Sequence, residues 1–184
     1  MFLKCRTVFL VVRVGVIGPG AIGCLVAAKL SRVADVFLID KIKERAEYLN
    51  KKGLRVDKKK YWIPVCYDLT GLRCDLCVVA VKAYDTMSTV PQIKSVTSKE
   101  SFVLTLQNGV GSLEVLRENV DARIVGGVTC EASTIIEKGK VLHLGRGDTL
   151  LKGINCDASK VVELFDEAGF RAVSYTHLRA HETS

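Results

Sequence analysis

The hexapeptide Gly18-Pro19-Gly20-Ala21-Ile22-Gly23 sits between an apolar run, Val12 to Ile17, and a stretch with helical periodicity. Few features restrict a fold as strongly. A strand, a glycine turn and a helix, in that order, open a βαβ unit. The helix carries apolar Ile22, Leu25, Val26 and Leu30, a spacing that gives one buried face. Gly23 and Ala27, four apart, let it approach a sheet closely. Val36 to Ile39 reads as the second strand and ends at Asp40, 22 positions past Gly18. In such a unit Gly18 permits the tight turn, Gly20 leaves room for a pyrophosphate, and Gly23 lets the helix pack on the sheet. The helix N-terminus offers free N–H groups and the positive end of its dipole to the phosphates. The candidates for binding a dinucleotide cofactor are therefore Gly18, Pro19, Gly20, Ala21, Ile22 and Gly23, with Asp40 as acceptor for an adenosine ribose. A carboxylate at that tip repels the 2′-phosphate of NADP and favours NAD. Lys41, Lys43 and Arg45 follow it. They either offset that repulsion or form the solvated face of a helix.

The rest of the chain continues the alternation. A charged helix is predicted from about Lys41 to Lys52, capped by Gly53. Leu54 to Val56, a lysine-rich turn, and Tyr61 to Val65 read as a small β insertion. Asp75 to Val81 is apolar almost throughout, as expected of a strand buried on both faces, and Lys82 ends it. A weak helix interrupted by Pro91 follows, then a strand from Phe102 to Leu106 that leads into Gln107-Asn108-Gly109. A short helix (Leu113 to Asn119), a strand (Arg123 to Thr129), a hairpin turning at Glu137 to Lys140 and a helix (Asp157 to Ala168) complete the reading. Arg146 and Asp148 are left as loop residues. The pattern predicts an α/β fold, a Rossmann-like, doubly wound and mostly parallel sheet with right-handed connections.

Composition narrows the function classes. The chain has 184 residues, 48% hydrophobic, which excludes a disordered chain. No apolar run nears the roughly 18 residues of a membrane helix. The net charge of +7 is spread out, and no aromatic-basic stripe accompanies it. That points to an anionic ligand and away from nucleic acid. Seven cysteines are an odd count, and the apolar N-terminus lacks a cleavage site, so a reducing, cytoplasmic protein is expected. Cys74 and Cys77 form one CxxC inside an apolar strand. An offset of three puts them on opposite faces, so neither zinc nor redox chemistry is expected there. No metal site is predicted.

Both ends read as foreign to the fold. Residues 1–11 precede the first strand and read as a doubtful extension. Val173 to Thr183 shows no strand or helix period, and its reverse translation resembles a transposase adapter from sequencing libraries. Residues 173–184 are therefore expected to be non-native, and His177 and His181 within them are not read as metal ligands. The domain proper is expected over 12–172.

Three later segments sharpen the picture: Asp75 to Asp85 with its Val-Lys-Ala-Tyr-Asp, Leu104 to Gly111 with its Leu-Gln-Asn-Gly, and Gly126-Gly127-Val128-Thr129. With Gly145-Arg146-Gly147-Asp148, and in this order after the glycine motif, they resemble the N-terminal domain of the ketopantoate reductase (2-dehydropantoate 2-reductase) family. The resemblance implies reduction of 2-dehydropantoate by NADPH to (R)-pantoate, on the route to pantothenate and coenzyme A. It places Lys82 and Asn108 near the nicotinamide, with Asn108 helping to hold cofactor and substrate. It also implies a second, all-helical domain carrying the general-acid lysine. That domain should begin shortly after Phe170, and its absence here implies a truncated chain without its own catalytic acid. The substrate implied is a small keto acid, and a homodimer is left open for the full-length protein.

Residue chemistry agrees on location, since Lys82 and Asn108 both follow the carboxyl ends of apolar strands, where open α/β sheets bind ligands. Lys82 also reads as a snorkelling strand-end lysine, and Asn108 as the first residue of an Asn-Gly turn. Two positions depart from the family pattern. Asp40 stands where NADPH-using members offer a basic residue, so NADH is expected as a possible or preferred cofactor. Cys130-Glu131 has no explanation at this level. Two rival functions remain: another NAD(P)-dependent dehydrogenase of similar architecture, and a nucleotide-sensing regulatory domain, which would share the glycine turn and Asp40 but has no need of Lys82 or Asn108.

Overall fold

The computed structural model describes residues 12–107 and 110–175. The first unit follows the expected order: β1 (Arg13–Ile17), α1 (Ala21–Leu30), β2 (Asp35–Ile39) and α2 (Lys43–Lys52). Next come β3 (Leu54–Val56), β4 (Lys59–Tyr61), β5 (Val65–Cys66), β6 (Leu76–Val79), α3 (Thr86–Val96), β7 (Phe102–Thr105) and α4 (Val110–Asn119). The chain continues with β8 (Arg123–Thr129), β9 (Ala132–Glu137), β10 (Lys140–Gly145), β11 (Asp148–Gly153), α5 (Ser159–Glu167) and β12 (Arg171–Ser174). The main sheet has eight strands in the order β12-β11-β8-β7-β6-β1-β2-β5. All neighbours in it are parallel except β8 and β11. No helix among the described residues is long and apolar enough to cross a membrane.

Strand alternation sorts the core into two layers. On β6, Leu76 and Val78 face one layer with α1, α2 and α5, while Cys77 and Val79 face the other with α3 and α4. Helix α1 is buried on nearly every side rather than along one stripe. The cause is a second sheet, ordered β4-β3-β10-β9, which covers its outer flank. The β insertion and the later hairpin are thus one structure, joined by parallel pairing of β3 with β10.

The structure corrects several expectations. Only Lys58 of the triple lysine lies in the turn: Lys59 and Lys60 belong to β4, and the chain reverses at Asp57 and Lys58, with Asp57 at a left-handed φ of 52°. Pro91 does not interrupt its helix; α3 runs through it. The ring is on the solvent side, where the carbonyl that loses its donor can meet water. Asp148 opens a strand rather than a loop. Strand order also extends past residue 172: Val173 and Ser174 pair with Leu150 and Leu151, and the Tyr175 N–H donates to the Leu151 carbonyl at 2.9 Å. Residues 1–11 and 176–184 lie outside the described residues.

Cys74 and Cys77 do not point to opposite faces. Cys74 precedes β6, and the chain bends at Asp75, where the Arg13 N–H donates to the Asp75 carboxylate at 2.8 Å. The bend swings Cys74 into the same core layer as Cys77.

Glu131 now has an explanation. Its side chain is almost fully buried, with Lys29 Nζ 2.8 Å from one oxygen and His143 Nε2 hydrogen-bonded to the other. Lys29 also lies 3.9 Å above the Phe170 ring. The carboxylate therefore ties α1 to β10, and its lysine partner caps the ring that precedes β12. Cys130 beside it is exposed, and its backbone is so close to Gly147 that a Cβ there would meet the Cys130 carbonyl oxygen at 2.4 Å.

Candidate dinucleotide site

The site is built on the turn between β1 and α1. Gly18 takes a φ of +92°, and a Cβ there would strike Val81 Cγ1 at 2.7 Å. A Cβ on Gly23 would lie 2.0 Å from the Gly18 carbonyl oxygen. These two glycines are therefore required by packing. Gly20 differs: a Cβ there would meet nothing within 4 Å. Its missing side chain leaves open space at the helix entrance, as a cradle for a diphosphate requires. No side chain caps α1, and no acidic residue stands in its first turn. Among the described residues, neither a capping side chain nor a first-turn carboxylate meets its N–H groups and dipole.

A cavity of about 370 Å³ opens in front of this turn, and Gly18, Pro19, Gly20, Asp40, Lys41 and Lys82 all line it. The structure thus brings together six of the sequence-predicted residues. Ala21, Ile22 and Gly23 are not in its wall: they form the first turn of α1 behind it. Asn108 and Gly109 lie outside the described residues.

Asp40 sits just past β2 with its carboxylate buried and occupied. One oxygen accepts from the Ile42 N–H at 2.9 Å and from Arg45 Nη2 at 2.7 Å; the other accepts from Arg45 Nε. Asp40 in turn holds the Arg45 guanidinium above its already high range, chiefly through that hydrogen bond. Arg45 is itself part of the cavity wall, with more than a third of its side chain exposed. The end of the cavity at Asp40 therefore presents an ion pair, with Lys41 beside it, rather than a bare carboxylate.

Lys82 lies three residues beyond the end of β6, exposed, with Nζ 5.9 Å from the Tyr84 ring. Sequence reasoning missed what holds it. Gln107, buried just past β7, donates from Nε2 to the Val81 carbonyl at 2.5 Å. Its Oε1 accepts from Thr86 at 2.7 Å and from Thr105 at 3.2 Å. Gln107 thus joins β7, the start of α3 and the segment carrying Lys82. A polar residue ending an apolar strand was the available signal. Arg45, Ser88, Thr89 and Gln92 complete the wall from α2 and α3. Such contacts depend on how helices sit over the strand ends, which spacing along the chain does not specify.

The chain resembles known proteins in sequence and in fold. The family model for ketopantoate reductase PanE/ApbA matches residues 14–155. The 2-dehydropantoate 2-reductase of Pyrococcus horikoshii is 33% identical over 165 residues, which is 85% of this chain and 54% of that protein. That of Archaeoglobus fulgidus is 34% identical over 166 residues, 87% of this chain and 55% of that protein. The chain thus spans about half the length of these curated relatives. Among solved structures, the PanE/ApbA family ketopantoate reductase from Ralstonia eutropha superposes with a TM-score of 0.81 at 25% identity, over 90% of this chain and 57% of that one. D-mandelate dehydrogenase, solved with NADH and anilino(oxo)acetate, shares the fold with a TM-score of 0.83 at 22% identity, covering 89% and 57%. With more than three quarters of its length matched by that family model, on a glycine turn and strand order of the expected kind, the chain belongs to the ketopantoate reductase PanE/ApbA family.

Proposed function

We propose that this chain is the coenzyme-binding half of a cytoplasmic enzyme that reduces 2-dehydropantoate to (R)-pantoate with a nicotinamide dinucleotide. One observation carries the proposal: the open space at Gly20 and the Lys82 segment lie on a single cavity at the carboxyl edge of the sheet. The residues fit the group. The uncapped start of α1 suits a diphosphate, and Lys41 and Arg45 add positive charge at the wall. When bound, the coenzyme supplies hydride. The protein orients it, with Gln107 holding the Lys82 segment at the far end of the cavity. Asn108, next to Gln107, is assigned to the nicotinamide end with Lys82. An alkoxide formed from the ketone needs a proton donor and hydrogen-bonding groups at that oxygen. By resemblance to the family, that donor is a lysine of the helical domain that follows in full-length members.

The 184-residue chain is therefore expected to quench its own fluorescence on titration with NADH or NADPH while showing no 2-dehydropantoate reduction. Steady turnover by this polypeptide would defeat the assignment of the catalytic lysine to another domain.

Coenzyme preference is assigned to the Asp40–Arg45 pair. Asp40 favours the free ribose diol of NADH, and Arg45 limits that bias by neutralising it. Arg45→Gln keeps a donor for Asp40 but removes the positive charge. It should weaken NADPH about tenfold relative to NADH, equivalent to about 1.4 kcal/mol. Equal effects on both coenzymes, or a native chain that binds NADPH far more tightly, would remove this role.

A further inference from the structure

Cys74 and Cys77 lie at the edge of the main sheet opposite the dinucleotide cavity. Cys77 pairs in register with Gly15 of β1, so the two residues direct their side-chain positions to the same layer. Gly15 has no side chain, and Cys74 fills that space: a Cβ on Gly15 would lie 3.4 Å from Cys74 Sγ. The thiols of Cys74 and Cys77 thus occupy neighbouring places in one core layer, and the Cys74 S–H donates to the Val96 carbonyl at 3.5 Å. Phe37 closes the same space from β2, with its ring 3.0 Å from that Gly15 position.

The two sulfurs are not equivalent. Both are buried, but Cys77 is fully enclosed while Cys74 keeps 5% of its surface exposed. Cys74 lines a surface cavity of about 460 Å³ whose wall includes Arg13, Arg73, Asp75 and Ser101. The neighbouring Cys77 thiol holds the Cys74 thiol below the ordinary thiol range, with help from the Gly15 backbone and Arg13, while burial and the Asp75 charge work against it. The same pairing, together with burial, pushes Cys77 well up. An outer thiol that ionises more readily beside an inner one that stays protonated is the division of labour of an attacking and a resolving cysteine.

We propose that Cys74 and Cys77 are a reversible dithiol–disulfide pair, oxidised by hydroperoxides that enter the cavity at the amino edge of the sheet. The Cys74 sulfur attacks the terminal peroxide oxygen, the O–O bond breaks, and the departing oxygen leaves as an alcohol, or as water from hydrogen peroxide, after taking up a proton. Cys74 is left as a sulfenic acid. The Cys77 sulfur then attacks the Cys74 sulfur; the S–S bond forms, the S–O bond breaks, and the hydroxyl leaves as water with the Cys77 proton. Two thiols lose two electrons, and the hydroperoxide gains them. A dithiol reductant reverses the step by thiol–disulfide exchange.

The pair can be read in one peptide, because cleavage after Arg73 and Lys82 releases Cys74 to Lys82 with both sulfurs. The native chain is treated with hydrogen peroxide, remaining thiols are alkylated, and that tryptic fragment is weighed. It should lose about 2 Da and accept no alkylating agent, and dithiothreitol should restore both properties. In Cys77→Ser the resolving sulfur is gone, so Cys74 should advance to the sulfinic acid, about 32 Da heavier. A native fragment that keeps both thiols while the exposed Cys130 is oxidised overturns the proposal. So does a native fragment with sulfinic acid at Cys74 and a still-alkylatable Cys77, or a Cys77→Ser chain in which Cys74 stays reduced.

Discussion

Gly23→Ala is expected to weaken nicotinamide dinucleotide binding by about 100-fold, the effect of moving binding groups by about 1 Å. The added methyl would stand 2.0 Å from the Gly18 carbonyl oxygen and 3.3 Å from Ala80 Cβ. Both neighbours belong to the cavity wall or to the residues that shape it. A backbone oxygen cannot swing aside like the end of a flexible side chain, so the turn itself must move. That shift separates Gly20 and the first N–H groups of α1 from the position a diphosphate takes. Gly20→Ala is the informative partner, because its methyl would enter empty space in the apo protein. It should leave stability unchanged and still weaken the coenzyme. Equal coenzyme affinity in both variants and the native chain would show that the turn does not hold the diphosphate.

The second large effect is on stability. Glu131→Ala removes the carboxylate between Lys29 and His143 and leaves a mostly buried ammonium group with the Phe170 ring as its remaining close partner. Removing one member of a buried ion pair costs about 3–5 kcal/mol. For a domain of this size that lowers Tm by roughly 6–20 °C. Replacing both partners, as in Lys29→Met with Glu131→Leu, should recover most of the loss, because no uncompensated charge stays behind. Thermal unfolding of the single and double variants checks both statements. A single variant within about 0.5 kcal/mol of the native chain would place Glu131 among ordinary surface residues.

These two residues also mark what sequence can and cannot show. Gly23 was legible because its role is local: a strand, a turn and a helix contiguous in the chain fix what a glycine there must do. The same locality made β1, β2, β6 and β7 readable, and it located Lys82. Glu131 was opaque because its partners are 102 residues away in α1 and 12 away on β10. Asp40 was placed correctly but not its state, since the Arg45 fork arrives from the next helix. Strands β11 and β12 escaped notice because neither carries a long apolar run. Their pairing with β8 and with each other stabilises them instead. Cys74 was misread because a period of two was carried across a bend that begins one residue later.

Pairing of β3 with β10 joins residues 85 positions apart, Arg55 with Lys140. A ribosome adds 5–20 residues per second, so about 4–17 s separate the emergence of the two strands. Throughout that interval the outer flank of α1 has no sheet to cover it, although the turn at its start is already complete. Nascent chains of this protein should therefore expose a sticky helix surface until β10 (Lys140–Gly145) has been made, which makes them clients for holdase chaperones during synthesis.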